Sequence, residues 1–382
     1  CALSRKVRLV TEVLIVGAGP VGLLLGSELA RHGVTATLVE RRAQPSTGTR
    51  AIGVHPPVLA ALEPSGITER LLATALPVSR GEARSRGRIL GSLSFDCLST
   101  RFRFIATLPQ SDTEAALAAG APAPRRGVRV TRVSPERRAV RVAFDDGAEL
   151  TAPIVVIAGG WSSRGLAYQT TAAHAYRDHY VMADIPLPPR DDADRAVIHL
   201  DAQGVLESLP LPGGRRRFVA WDSPGASGGA AVDRLRAALV ARGEDDAASA
   251  VPEATEFGVR RFTARGMRNG GLLVVGDAAH EVSPIGGQGM NLGLLDAAGL
   301  APLLVRWVRT GEAPDAELAR WERMRITSAR RAARLAAVNT ALGRPAGTLT
   351  DAGRRAAIGA ALATPSARAL AWLYTMGLDR AA

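Results

Sequence analysis

The chain has 382 residues, 47% of them apolar and 22% charged, the make-up of a globular protein with room for one large or two modest cores. Its net charge is +12, but Lys6 is the only lysine, the arginines are spread along the whole length and aromatics are only 4%, so no nucleic-acid surface is expected. Cys1 and Cys97 are too few for a disulfide scaffold or a metal-thiolate site; with no secretory leader after Cys1 and no run of eighteen apolar residues, a reducing, cytoplasmic setting without a transmembrane segment is expected.

Val13-Leu14-Ile15-Val16 is wholly apolar and predicts a strand buried on both faces. Residues 23–32 carry apolar side chains at helical spacing, and Gly33 stops that helix. A second strand over 35–39, ending at Glu40, completes a βαβ unit. Residues 53–76 predict a helical pair with Leu59, Leu62, Ile67, Leu71 and Leu72 facing inward. From about 79 to 108 the period shifts to two (Ile89, Leu93, Phe95, Phe102, Phe104), predicting antiparallel strands in which Cys97 is a buried filler. Ser111 followed by Glu114 reads as a capping box opening a short helix.

Strands follow over 128–133, 140–144 and 154–157, with Asp145-Asp146-Gly147 turning a hairpin. Residues 175–221 return to β patterning around a hairpin centred on Gly213-Gly214. A helix is expected over 232–242 and another buried strand over 272–275, after which the chain is helical to its end. Leu318, Trp321, Met324 and Leu335 form the apolar stripe of an arginine-rich helix whose other face is solvated. The fold class is α/β: a Rossmann-like domain over 1–78, 107–170 and 268–340, a mostly antiparallel sheet inserted at 79–106 and 171–267, and a helical segment over 341–382.

Gly17-x-Gly19-x-x-Gly22 lies between the first strand and the first helix, the setting a dinucleotide fingerprint requires. Gly17 permits the tight turn, Gly19 lets a diphosphate approach, and Gly22 lets helix and strand pack closely. The helix N-terminus then offers free N–H groups and a partial positive charge. Glu40 stands where a carboxylate accepts hydrogen bonds from a ribose diol and disfavours a 2′-phosphate, which leaves FAD and NAD. The far end chooses between them. Asp277, just past a strand, suits a polyol hydroxyl, and the loop from Pro284 to Asn291 aims backbone N–H groups at an electron-rich ring edge. A ribityl chain and a flavin pyrimidine have those needs, and NAD has neither.

With these motifs in this order, the sequence resembles the FAD-dependent aromatic hydroxylases, the group A flavoprotein monooxygenases with the para-hydroxybenzoate hydroxylase fold, over roughly residues 10 to 340. The resemblance implies FAD contacts at Gly17, Gly19, Pro20 and Gly22, at Glu40 and Arg41, at Arg50 near the flavin, and at Gln110 and Val133 in mid-chain. It adds Asp277, then Pro284, Gly286, Gly287, Gly289, Met290 and Asn291 around the ring. It further implies that NAD(P)H reduces FAD, that O2 adds at flavin C4a, and that the resulting hydroperoxide gives one oxygen to an aromatic or polyketide-like small molecule. The chemistry is centred on the flavin, so no catalytic side chain and no metal ligand is assigned.

The inserted sheet is expected to roof the substrate, with Tyr180, His199, Trp221 and Pro284 as candidate pocket residues, while His280 reads as a structural group of the FAD loop. One departure stands out: Gly159 occupies a position where the family has Asp, which bears on both the FAD and the reductant contacts. The helix after Gln110 is also short. Two alternatives stay open, a flavin oxidoreductase of the same fold that inserts no oxygen, and a non-enzymatic FAD-fold carrier.

Overall fold

The structure is a computed structural model; it describes residues 11–45, 51–223, 229–363, 366–377 and 379. In chain order, β1 (Val13–Val16), α1 (Pro20–Arg31) and β2 (Ala36–Glu40) make the opening βαβ unit, followed by β3 (Gly53–Val54), α2 (Pro56–Leu62), α3 (Ile67–Leu72) and β4 (Leu76–Val78). Then come β5 (Arg80–Ser85), β6 (Arg88–Ser94), β7 (Ile105–Thr107), α4 (Gln110–Ala118), β8 (Arg125–Arg126), β9 (Val130–Pro135), β10 (Val140–Phe144), β11 (Glu149–Ala152) and β12 (Ile154–Ile157). The middle of the chain forms β13 (His174–Pro186), β14 (Arg195–Asp201), β15 (Gly204–Leu211), β16 (Arg215–Asp222), α5 (Ala231–Val240), α6 (Asp245–Ser249) and β17 (Thr255–Thr263). The remainder is β18 (Arg268–Asn269), β19 (Leu272–Val274), β20 (His280–Glu281), α7 (Gly289–Thr310), α8 (Asp315–Leu342), α9 (Thr348–Ala363) and α10 (Ser366–Tyr374).

A six-stranded sheet runs in the order β18-β19-β12-β1-β2-β8, with β1 parallel to β2 and β12, and β12 parallel to β19. Its central strands are nearly pure Val, Ile and Leu because they have no wet face; Val13, Leu14, Ile15, Val155 and Val156 are fully buried. Strands far apart in sequence thus bring residues 17, 158 and 275 to one sheet end.

An eight-stranded sheet, β20-β17-β13-β16-β15-β14-β5-β6, gathers three separated stretches and is antiparallel throughout except where β14 runs parallel to β5. Strand alternation splits its residues between two cores. On one face Val181, Ala183, Ile185, Leu206, Phe218 and Ala220 are buried with Leu235, Leu239 and Ala247 of α5 and α6. On the other, Tyr180, Leu200, Val205, Val219 and Val259 gather round Ile285, with Met182, Trp221 and Phe257 partly buried beside them. At the sheet edge α9 lies across β6; a Cβ on Gly91 would stand 2.5 Å from Leu362 Cβ, so only glycine admits the helix there. Asp351 of α9, fully buried, is held by Arg86, Arg354 and Arg355.

Several local expectations change. The helix after β7 begins at Gln110 with Pro109 as its N-cap, so Ser111 sits inside the first turn and caps nothing; Glu114 instead accepts a hydrogen bond from Gln110. Cys97 lies past the end of β6, only partly buried, with its Sγ donating to the Ser94 carbonyl, because the strand stops at Ser94. On α8 the inward position falls to Arg325, and Met324 is turned outward, because Asp296 of α7 supplies a buried partner for the guanidinium. By length and apolarity α7 is a possible membrane span, yet 61% of its apolar window is buried inside the protein, as befits a core helix.

Candidate functional site

The turn from β1 into α1 uses each glycine differently. Gly17 has φ +114°, and a Cβ there would lie 2.5 Å from Gly159 Cα. A Cβ on Gly22 would come within 2.0 Å of the Gly17 carbonyl oxygen, so any side chain would prise helix from strand. Around Gly19 a Cβ would meet nothing within 4 Å. Gly19 is also the N-cap of α1, without a side-chain cap, and Pro20 follows at the first helical position. The helix therefore opens its unsatisfied N–H groups onto free space, the cradle that a diphosphate fits.

Glu40, 6% exposed, closes the end of β2. Its Oε2 accepts the Ala18 N–H at 3.0 Å, and its Oε1 accepts the Arg42 N–H at 2.9 Å and Nε at 3.0 Å. Burial alone would push the carboxyl up, but the backbone bonds from Ala18 and Arg42 and the Arg42 guanidinium hold it below the ordinary range. The guanidinium engaged is that of Arg42; Arg41 is exposed.

At the end of β19, Gly276 has φ +64° and packs on Val21, and a Cβ on Gly293 of α7 would stand 2.6 Å from Val21 Cγ2. The start of α1, the end of β19 and the first turns of α7 are thus in contact. Asp277 is half-buried, and its carbonyl accepts the Arg164 Nη2–H at 3.0 Å. Gly286 and Gly287 take φ of +98° and +67°, and α7 starts at Gly289 with no side-chain cap bond. Asn291, fully buried, fixes this loop: its Oδ1 accepts the His55 N–H at 2.8 Å, and its Nδ2 donates to the carbonyls of Gly53 (2.8 Å) and Gly287 (3.0 Å). Gly289 and Met290 are half-buried beside it, and Pro284 stands exposed at its lip. Two uncapped helix N-termini and a glycine loop therefore converge, and these residues fit a nucleotide held at its diphosphate by one and at its ring edge by the other.

The mid-chain candidates divide. Gln110 Oε1 accepts the Ala51 N–H at 3.3 Å, next to the loop of Arg50, which lies outside the described residues. Val133 pairs with Val142 in the small sheet of β9, β10 and β11, half-buried against the first core. At Gly159 a Cβ would meet Ser163 Cβ at 2.9 Å and Oγ at 3.0 Å, and that hydroxyl donates to the Gly160 carbonyl. Ser163 thus occupies the space into which a larger residue at 159 would grow.

Of the expected pocket residues, Tyr180 and Trp221 lie on the sheet face that meets Ile285. Tyr180 is fully buried and stacks on Phe257 (centroids 5.5 Å, 16° between planes), and its hydroxyl has no partner among the described residues. Trp221 Nε1 donates to Asp178, which Arg344 also holds. His199 is a correction. It lies between Ile198 and Leu200, which face Ile285, so alternation turns it to the α5–α6 side, 3.5 Å from Glu244.

Three groups escape sequence reasoning. Asp296, fully buried in α7, accepts Gly276 N–H at 2.9 Å, lies 2.6 Å from His280 Nε2 and accepts Arg325 Nε–H at 2.8 Å. That bears out His280 as structural. A lone Asp inside the apolar run of α7 is the signal that would have found this cluster. His55 is buried against the glycine loop, and burial pushes its ring down to about 4. Glu207, buried on β15, is pushed by burial up to about 7; an acid at an inward position of a strand is again the signal.

The FAD binding domain family matches residues 10–336. The chain is 34% identical over 323 residues to the 6-methylpretetramide 4-monooxygenase of Streptomyces rimosus, covering 78% of this chain but only 56% of that protein, so it spans little more than half that relative's length. The p-nitrophenol 4-monooxygenase of Pseudomonas putida DLL-E4 has the same fold, with a TM-score of 0.85 at 21% identity over 97% of this chain and 99% of that one. An anhydrotetracycline hydroxylase from Streptomyces rimosus matches with a TM-score of 0.77 at 27% identity, over 96% of this chain and 76% of that one. With the βαβ glycines, the second acidic turn and the glycine loop in the same order, the chain belongs to the FAD-binding family of the FAD-dependent aromatic hydroxylases, the group A flavoprotein monooxygenases.

Proposed function

We propose that this protein is an FAD-dependent monooxygenase that uses NAD(P)H and O2 to hydroxylate an aromatic or polyketide-like small molecule. The observation that carries this reading is the meeting of the open N-terminus of α1 with the glycine loop at the start of α7, beneath an apolar sheet face. The names of the relatives, a pretetramide monooxygenase and an anhydrotetracycline hydroxylase among them, support a ring-bearing substrate.

FAD, when bound, supplies hydride acceptance from NAD(P)H and the activation of O2. The chain's own residues hold and shield it. Gly17, Gly19 and Gly22 leave room for the diphosphate, and the α1 N-terminus supplies donors to it. Glu40, fixed by Ala18 and Arg42, presents its carboxylate to the ribose. Asp277 faces the polyol chain, and the backbone from Gly286 to Gly289, held in place by Asn291, serves the ring edge. The roof face around Tyr180 and Trp221 excludes water from the reacting ring. Residues 79–106 and 171–267 act in this scheme as the substrate domain and the remainder, up to 340, as the FAD domain.

Holoprotein given NAD(P)H, isotopically labelled O2 and a panel of phenolic and polycyclic compounds is expected to yield a product heavier by one labelled oxygen. Steady NAD(P)H consumption with product free of label refutes this reading. A flavin oxidoreductase without oxygen insertion is the second reading, favoured by Gly159, where Ser163 takes up the space next to the first glycine.

A further inference from the structure

The outer side of α8 carries one unbroken band of positive charge. Helical spacing puts Arg320, Arg323, Arg330, Arg331 and Arg334 on one side of the helix, all exposed, over about 21 Å. Among the described residues none of the five has an ion-pair or hydrogen-bond partner. The acids of α8 are engaged elsewhere: Asp315 and Glu317 pair with Arg268 and Arg306, and Glu322 accepts the Met267 and Arg268 N–H groups. Asp379, across a small hollow from Arg331, is held by Ser328 and Arg325. Past Arg334 the same side turns apolar. Val338 and Leu342 are 55% and 40% exposed, and Leu349, on the first turn of α9, is 89% exposed. The turn that carries them is fixed to the roof sheet: the Gly343 carbonyl accepts the Val205 N–H at 2.8 Å, Ala346 N–H donates to the Ala202 carbonyl at 3.0 Å, and Arg344 pairs with Asp178 at 2.8 Å.

This band does nothing for stability. Arg320 with Arg323, Arg330 with Arg334 and Arg331 with Arg334 are like-charge neighbours at helical spacing, which weaken a helix. Cations that give way to aliphatic side chains along one face complement a surface that is itself layered, with anionic groups outside and hydrocarbon beneath. A second copy of the chain would bring the same charge to the contact. Nucleic acid would take the arginines but leave the three aliphatic side chains without a partner, and no aromatic side chain stands among them to stack on a base. We infer that the outer side of α8 and the α8–α9 turn dock this protein reversibly on an anionic lipid surface, the five arginines on the headgroups and Val338, Leu342 and Leu349 entering the interface. The attachment is peripheral, since α7 stays in the core. It brings the rim of the roof sheet to the bilayer, where apolar compounds collect, and it stands whatever reaction the flavin site performs.

The test is flotation of holoprotein with vesicles of phosphatidylcholine, alone or with about 30% phosphatidylglycerol, at about 50 mM and about 500 mM salt. Wild type is expected to bind the anionic vesicles at least about tenfold more tightly than the neutral ones at low salt, and to lose that preference at high salt as screening shortens the reach of the arginines. The triple variant Arg330→Gln, Arg331→Gln, Arg334→Gln should bind anionic vesicles about a hundredfold more weakly, with flavin content and urea midpoint unchanged. The double variant Leu342→Ser, Leu349→Ser should lose about tenfold on the same vesicles at low salt and keep its retention on heparin, which presents anions without hydrocarbon. Wild type that ignores the anionic vesicles, or a triple variant that binds them as wild type does, overturns the inference. A double variant with vesicle binding intact overturns it too, and hands the arginine band to an acidic macromolecule instead.

Discussion

Replacing Asp296 with alanine should be the most damaging single change away from the glycine turns. Its carboxylate is fully buried and serves three donors at once, Gly276 N–H, His280 Nε2 and Arg325 Nε. Removal leaves a guanidinium that is itself 5% exposed facing an imidazole and an orphaned amide. Breaking a buried pair on one side costs about 3–5 kcal/mol, a large part of the roughly 5–15 kcal/mol that holds a domain together. The pH dependence carries a sharper signature. Burial alone would lower the His280 ring, but the Asp296 carboxylate beside it raises it above 6.5, while His280 and Arg325 hold Asp296 low against the upward push of its own burial.

A raised histidine contributes stability that is complete below the unfolded value and fades as pH climbs through the folded one. Wild type should therefore lose stability as pH rises above about 6.5. In Asp296→Ala burial and Arg325, which lower the ring, outweigh Asp277, which still raises it; its folded value falls below 6.5, and the ring's contribution to stability should instead rise with pH up to about 6.5 and stay flat above it. Urea unfolding followed by circular dichroism across pH 5 to 9 reads both effects. A loss under about 1 kcal/mol, or a mutant whose stability still falls above about pH 7 as the wild type's does, would refute the reasoning.

Gly19→Val and Gly22→Ala should fail in different ways: the first side chain enters open space and blocks FAD with little effect on unfolding, whereas the second strikes the Gly17 carbonyl and lowers stability by about 2 kcal/mol or more. A normal flavin-to-protein ratio in Gly19→Val, or a normal urea midpoint in Gly22→Ala, counts against this. Asp277→Ala should purify with reduced flavin content, read from its absorbance, because a polyol partner is gone from a poorly hydrated place; full yellow colour contradicts it. Glu207 works against the fold. Its carboxyl rises from 4.5 unfolded to about 7 folded, so stability should fall by on the order of 3 kcal/mol as pH climbs between those values, and Glu207→Gln should abolish that fall. An identical pH–stability curve for the two proteins refutes it. Tyr180→Phe, losing an unsatisfied hydroxyl, should raise stability by about 1 kcal/mol in ligand-free protein; a lowered urea midpoint would show that the hydroxyl has a partner.

The parts of the site that read clearly from sequence are those whose geometry is local. The strand, glycine turn and helix from Val13 to Arg31 lie within one continuous stretch, and their spacing alone fixes where the helix N-terminus points. Asn291 also follows from its loop, although its bonds reach back to Gly53 and His55. What failed depends on facing. The alternation of Ile198, His199 and Leu200 is visible, but both faces of the sheet are buried, so periodicity cannot tell which one meets the glycine loop. Arg41 and Arg42 are equivalent as letters, and only the turn after β2 brings the second onto Glu40. Met324 fits an apolar stripe as well as any neighbour until Asp296, on another helix, claims the position next to it for Arg325.

The parallel pairing of β5 with β14 has a consequence during synthesis. Arg80 lies beside Arg195 in that pairing, and nothing in the intervening chain completes the eight-stranded sheet. At a ribosomal pace of about 5–20 residues per second, the hairpin of β5 and β6 waits on the order of ten seconds with one rim unzipped. Its far rim waits longer still, until α9 emerges to cover it. A nascent chain in that condition offers bare strand borders to its neighbours on a polysome, and arginines at 80, 84 and 88 are well placed to keep those neighbours apart by charge.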